Sequence, residues 1–239
     1  REMLKQEPKT RFIFLTLTIR NCKKENLVDS INLLNNAFTT LIKPPRRKAP
    51  TILKKFVDNS YLGYYKALEV TYSRTNKDYH PHLHCIIAVK PNYFGYYYIS
   101  YVKWQECWKF ALNENSKEEI DYYPEIDIKA IKTNFSNDKL QYKTIAEVAK
   151  YPLKSVSILK IKNKVEAISV LDAFIKVLYN RKFVSMGGAF YRIQRQLSKE
   201  DIEGDNTDLV HIGNDVDKTL NIVSYTMYKY DKKFGLYIC

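Results

Sequence analysis

A chain of 239 residues that is 45% hydrophobic and 14% aromatic can bury a sizeable core, which excludes wholesale disorder. Its formal net charge of +13 suits a polyanionic partner, either nucleic acid or an anionic membrane surface. Seven glycines and the lack of a G-x-x-x-x-G-K-[ST] motif exclude a Walker-type phosphate loop, and with it an ATPase or helicase.

Residues 12–19 (FIFLTLTI) are a β-branched and aromatic run of strand length, closed by the polar Arg20 and Asn21, and read as a buried central strand. Val28, Ile31, Leu34, Phe38, Leu41 and Ile42 then recur at helical spacing, and that helix stops before Pro44 and Pro45. Between residues 43 and 55 stand Lys43, Arg46, Arg47, Lys48, Lys54 and Lys55 with no acidic residue among them. This basic loop reads either as a track for a phosphate backbone, with Arg46, Arg47 and Lys48 on DNA, or as a solvated connector.

Residues 61–73 (YLGYYKALEVTYS) and 82–89 (HLHCIIAV) are predicted as the two strands of a hairpin, joined by the turn-prone stretch 74–81. An amphipathic helix over 99–112, a strand over 126–131 (IDIKAI) and a helix over 138–150 follow. The order β-α-β-β-α-β-α predicts an α+β fold of the split β-α-β, ferredoxin- or RRM-like kind. In it an antiparallel sheet carries its helices on one face and leaves the other free to bind. Farther on come an amphipathic stretch at 165–179, Met186-Gly187-Gly188, a short basic helix at 190–197 and an acidic tract at 200–217. The chain therefore divides into a core of residues 1–160 and a helical extension or small domain of residues 161–239, either packed on that core or separate.

No apolar run approaches the roughly 18 to 20 residues that span a bilayer, and the polar opening REMLKQEPKTR is no signal peptide, so a cytoplasmic protein without a membrane partner is expected. Cys22, Cys85, Cys107 and Cys239 are scattered without a C-x-x-C pair, which indicates neither a zinc ribbon nor a disulfide framework.

Three of the four histidines fall at His80, His82 and His84. On a strand, alternate residues share a face, so His82 and His84 project together while Leu83 and Cys85 point the other way. Two imidazoles about 7 Å apart along a strand can chelate one divalent ion. A hard cation such as Mg²⁺ or Mn²⁺ also wants a carboxylate. Glu69 is the candidate: a hairpin that sets Glu69 opposite His84 and Thr71 opposite His82 puts the carboxylate on the histidine face. The plainer alternative is a pair of imidazoles hydrogen-bonded at a sheet surface.

A second constellation is EVAKYPLK, residues 147–154. On a helix Glu147 and Tyr151 share a face, with Lys154 three residues farther along. A deprotonated tyrosine can serve as a nucleophile and form a covalent intermediate. Pro152 disfavours helical torsions at Tyr151 and sets that residue near a helix end. Among twenty tyrosines any one is structural by default, so Tyr151 draws its weight from its companions.

Taken together, FLTLTIRNC (14–22), YKALEVTY (65–72) with HPHLHCIIAV (80–89), and EVAKYPLK (147–154) resemble the three motifs of rolling-circle plasmid replication initiators. These belong to the His-hydrophobe-His endonuclease superfamily, and the chain resembles the subgroup with one catalytic tyrosine and a glutamate four residues before it. Residues 180–197 (NRKFVSMGGAFYRIQRQL) look like a further block of the same family. The resemblance implies a metal-dependent, single-strand DNA endonuclease and strand transferase. His82 and His84 would be metal ligands, with Glu69, or alternatively His80, as the third. Tyr151 would attack the scissile phosphate at the plasmid origin, leaving a 5′-phosphotyrosine and a free 3′-OH.

By the same resemblance Glu147 activates a water at termination, Lys154 stabilises phosphate charge and Lys150 holds DNA. The implied partners are single-stranded or extruded-hairpin origin DNA, a host helicase and a DNA polymerase, with oligomerisation open. A conjugative relaxase or single-tyrosine transposase is the neighbouring enzyme reading. A non-catalytic DNA-binding module is the reading of another class.

Overall fold

The computed structural model describes residues 2–131, 161–179, 181–204, 229–231 and 236–238. The chain divides into two units, Arg1–Ser198 and Lys199–Cys239. In the first unit helix α1 (Glu2–Gln6) leads into β1 (Arg11–Thr18), α2 (Leu27–Ile42), α3 (Thr51–Asn59), β2 (Tyr61–Ser73), β3 (Asp78–Val89), α4 (Tyr101–Asn113) and β4 (Ile126–Ile131). Then come α5 (Lys164–Leu178), β5 (Val184–Gly188) and the start of α6 (Ala189–Gly204). The second unit carries an antiparallel pair, β6 (Lys229–Asp231) and β7 (Leu236–Ile238).

The strands of the first unit form one antiparallel sheet in the order β4-β1-β3-β2-β5. The first four stand in the order of a split β-α-β sheet, so the α+β expectation is met, and β5 adds a fifth strand beside β2. Alternation along β1 explains its place. Ile13, Leu15 and Leu17 are at most 1% exposed and enter the main core, whereas Phe14, Thr16 and Thr18 stand on the other face. Leu27, Ile31, Leu34, Phe38 and Leu41 of α2 stack one turn apart on that core, and burial of each stabilises the fold by about 1.5–3 kcal/mol.

Leu53 and Phe56 of α3, Trp104 and Trp108 of α4, and Val170, Phe174 and Val177 of α5 complete the helical layer. Trp108 Nε1 donates to the Thr18 carbonyl at 2.8 Å, which fastens α4 to the end of β1. Among the described residues the opposite face, called the open face below, is covered at one end only, where Met3 of α1 and Ala189, Phe190 and Ile193 of α6 pack against Phe12, Leu62 and Ala88.

Two expectations need correction. The basic loop does not run to residue 55, because Lys54 and Lys55 lie on α3. Its apolar positions, Leu53, Phe56 and Val57, fall at helical spacing, and the surrounding lysines obscured that pattern in the sequence. The second strand of the hairpin begins at Asp78, not His82, leaving only residues 74–77 as the turn. Pro81 is accommodated because pairing of β3 with β1 ends at His82, so its missing N–H removes no ladder bond to β1. The helix expected over 138–150 lies outside the described residues.

Attachment of β5 depends on two facing glycines. Gly63 and Gly188 are register partners, and a Cβ on Gly188, where φ is +61°, would lie 2.3 Å from the Leu62 carbonyl oxygen. Gly188→Ala is therefore expected to destabilise the protein by about 2 kcal/mol or more, from left-handed strain and a backbone clash. Urea unfolding measures this, and an unchanged midpoint would mean that β5 does not hold this place.

Candidate metal centre

The hairpin β2–β3 is the longest pairing in the sheet, and it brings the candidate ligands together. Its register sets Glu69 opposite His82, Ala67 opposite His84 and Thr71 opposite His80. This corrects the expected pairing of Glu69 with His84 and Thr71 with His82. Pairing runs without a break to Ser73 opposite Asp78, and this sets every pairing two residues from the expected one. A shift of two keeps side chains on the same face, so Glu69 still stands with the histidines, whereas a shift of one would have turned it into the core.

From that position one carboxylate oxygen serves both rings. Glu69 Oε2 lies 3.1 Å from His82 Nε2 and 2.8 Å from His84 Nε2. The three ligand atoms lie within 4.8 Å of one another, and Glu69, His82 and His84 are 3%, 7% and 9% exposed. A buried carboxylate is costly unless it is paired, and its neighbours here are two imidazoles.

The far nitrogens decide what the near ones can do. His82 Nδ1 faces the His80 carbonyl oxygen at 3.2 Å, and because a carbonyl only accepts, that nitrogen carries the proton. A neutral His82 therefore turns the bare lone pair of Nε2 toward the carboxylate. Two lone pairs at 3.1 Å repel unless a proton or a cation lies between them. His84 Nδ1 faces Thr16 Oγ1 at 3.2 Å, and the hydroxyl oxygen can accept a hydrogen bond from the ring N–H, leaving Nε2 bare as well. The Phe14 ring stacks against His84 with centroids 5.7 Å apart. Both rings are thus oriented from behind, as metal-ligating histidines usually are.

The donor set fits a hard divalent ion. Adjacent ligands of an octahedral ion with bonds of about 2.1 Å are separated by about 3 Å, and the two nitrogen-to-oxygen separations bracket that value. Of the two candidates for third ligand, Glu69 is the one that joins the cluster; His80 does not. The His80 ring lies 5.1 Å from that of His82, and its Nδ1 donates to Asn21 Oδ1 at 2.7 Å. Burial, and next the charge of His82, lower its pKa.

Thr16 and Phe14 were not among the predicted site residues. The signal for Thr16 was present in the sequence, since Thr16 and Thr18 alternate with buried leucines in FLTLTI and so share the open face. Which histidine each would touch depends on register, and register is a property of the assembled sheet.

The basic residues proposed for DNA sit on the helical side. Arg46 pairs with Asp58 at 2.6 Å and Lys48 with Glu114 at 3.6 Å, while Arg47 has no ion pair among the described residues. Glu147, Lys150, Tyr151 and Lys154 lie outside the described residues. Among the described residues no helix is long and apolar enough to cross a membrane.

Comparison with known proteins adds a second line of support. The replication protein family matches residues 1–238. The chain is similar to a Protein rep of Streptococcus pneumoniae serotype 2 (strain D39 / NCTC 7466), with 31% identity over 220 residues covering 91% of this chain and 61% of that protein. A Protein rep of Bacillus amyloliquefaciens is 31% identical over 225 residues, 88% of this chain and 60% of its own length. A Replication protein of Staphylococcus aureus is 26% identical over 217 residues, 90% and 84% of the two chains. The chain spans about three-fifths of the length of the first two relatives. No solved structure matches it.

Proposed function

Because the chain belongs to the replication protein family, we propose that it initiates rolling-circle replication of a small plasmid by nicking one strand of the origin. The observation that carries this reading is the buried Glu69–His82–His84 cluster on the open face of the sheet. Glu69, His82 and His84 would hold Mg²⁺ or Mn²⁺, and such an ion, when bound, polarises a phosphodiester.

The remaining chemistry belongs to side chains of EVAKYPLK. Tyr151 loses its proton and its oxygen attacks the scissile phosphorus. A Tyr–O–P bond forms, the P–O3′ bond breaks, and the departing 3′ oxygen takes up a proton. The product is a 5′-phosphotyrosine and a 3′-OH that primes synthesis. Lys154 offsets charge building on the phosphate, and Lys150 holds the strand. At termination Glu147 removes a proton from a water, which then replaces the tyrosine as nucleophile.

The DNA is single-stranded or extruded at the origin, as the resemblance of the three motifs implies. The protein acts in the cytoplasm, and a host helicase and polymerase would extend the exposed 3′ end. Incubation with labelled origin oligonucleotide and Mn²⁺ is expected to yield a covalent protein–DNA band on denaturing gels, lost on chelation with EDTA. A chain that binds the oligonucleotide but forms no such band with any divalent ion would be a binding module instead.

A further inference from the structure

The segment that leaves β3 concentrates aromatic side chains which the nicking centre does not use. Tyr96, Tyr98 and Tyr101 are 82%, 57% and 46% exposed, and Phe94 is 44% exposed. Scattered exposed rings are ordinary, but a cluster of this size on one loop is a surface that calls for a partner.

The rings are held in place rather than loose. Tyr93 is 1% exposed, accepts from Trp104 Nε1 at 3.0 Å, and has the Tyr98 ring 6.0 Å from its own. Tyr96 and Tyr97 meet edge to face at 4.9 Å. The backbone is closed by hydrogen bonds from Tyr97 N to the Asn92 carbonyl and from Tyr98 N to the Gly95 carbonyl. Such presentation lowers the ordering cost of a bound ligand.

Tyr96, Tyr97 and Tyr98 form one wall of a cleft of about 400 Å³, whose other wall is Thr51, Ile52 and Lys55 of α3. Among the described residues no acidic side chain lines it and Lys55 makes no ion pair. Neutral phenol rings beside an uncommitted ammonium match the two parts of a nucleotide, a base with a π face and a phosphate. A duplex keeps its bases stacked within and offers no free base face to such a cleft.

We infer that the cleft between α3 and residues 96–98 is a second binding site for single-stranded DNA, separate from the metal centre. It lies on the helical side of the sheet, beyond Val89, whereas His82 and His84 stand on the open face. Five residues of strand from His84 to Val89 alone span about 17 Å. The site does not depend on Tyr151 chemistry, and it gives a displaced or incoming strand a place to rest while the open face is engaged.

The test is binding of fluorescently labelled oligo(dT) to the full chain, followed by anisotropy in EDTA so that nothing is cut. Tyr96→Ala with Tyr98→Ala is expected to weaken binding about tenfold or more, as removal of stacked rings does. The corresponding phenylalanine pair is expected to bind like the parent, because the ring does the stacking. Lys55→Ala is expected to weaken binding and to flatten its salt dependence. His84→Ala is expected to bind oligo(dT) normally even where nicking is lost, so this site and the nicking reading fail separately. Near-ultraviolet circular dichroism checks that the variants are folded. Undiminished affinity in a folded alanine pair overturns the inference and makes a protein the partner of these rings. A phenylalanine pair as weak as the alanine pair also overturns it, since the contact would then be to the hydroxyl groups.

Discussion

His84→Ala is expected to abolish metal-dependent nicking and to lower Mn²⁺ affinity by at least about a hundredfold, more than loss of an outer partner usually costs. His84 gives the shorter of the two contacts to Glu69, 2.8 Å, and is itself braced by Thr16 and Phe14. Without it a cation would keep one imidazole and one carboxylate, and the cluster would have an open side. Binding titrated by calorimetry measures the affinity directly. Stability gives an independent reading: Mn²⁺ at 100 times its Kd stabilises a folded protein by about 2.7 kcal/mol. In urea unfolding that increment should be present in the parent chain and absent in His84→Ala. A variant that keeps both the increment and the cleavage would remove His84 from the ligand set. Thr16→Val is a gentler companion change that should leave a smaller defect, since it removes only the group behind Nδ1.

Tyr151→Phe is expected to remove the covalent protein–DNA band altogether and to reduce strand cleavage by at least a thousandfold, on the order of other lost nucleophiles. Origin binding and Mn²⁺ affinity should be unchanged, because a phenyl ring keeps the shape and loses only the attacking oxygen. Retention of the band would assign the attack to another of the twenty tyrosines, which peptide mapping of the adduct would identify. Loss of the band together with loss of metal affinity would instead mean that Tyr151 acts through the cluster. The two variants are complementary, since one removes the ion and keeps the nucleophile, and the other does the reverse.

Several elements were legible before folding was considered. The predicted strand 12–19 appears as Arg11–Thr18, the strand 61–73 appears with the same bounds, and 126–131 likewise. Each is defined by neighbours in the chain, through alternation and β-branched content, and such local patterns survive whatever the rest of the fold does. The histidine pair was legible for the same reason: an H-x-H on a strand faces one way by geometry alone. Helix α3 was not, because its two lysines and the basic approach to it suggested a loop, and the burial of Leu53 and Phe56 is what shows its helical face. Strand β5 was also missed. VSMGG has little strand character of its own and forms a strand because β2 offers a free edge and Gly63 lets it come close.

By itself, then, the sequence determined the residue types of the candidate metal cluster, the face on which His82 and His84 project, and the kinship of the chain. Tertiary structure alone decided that Glu69 faces His82, that its Oε2 also reaches His84, and that Thr16 orients the His84 ring. The reason is physical. Side-chain direction along a strand is set by bonds between adjacent residues, whereas register is set by where a turn closes and by the combined packing of β1, β2 and β3, contacts between residues far apart in the chain.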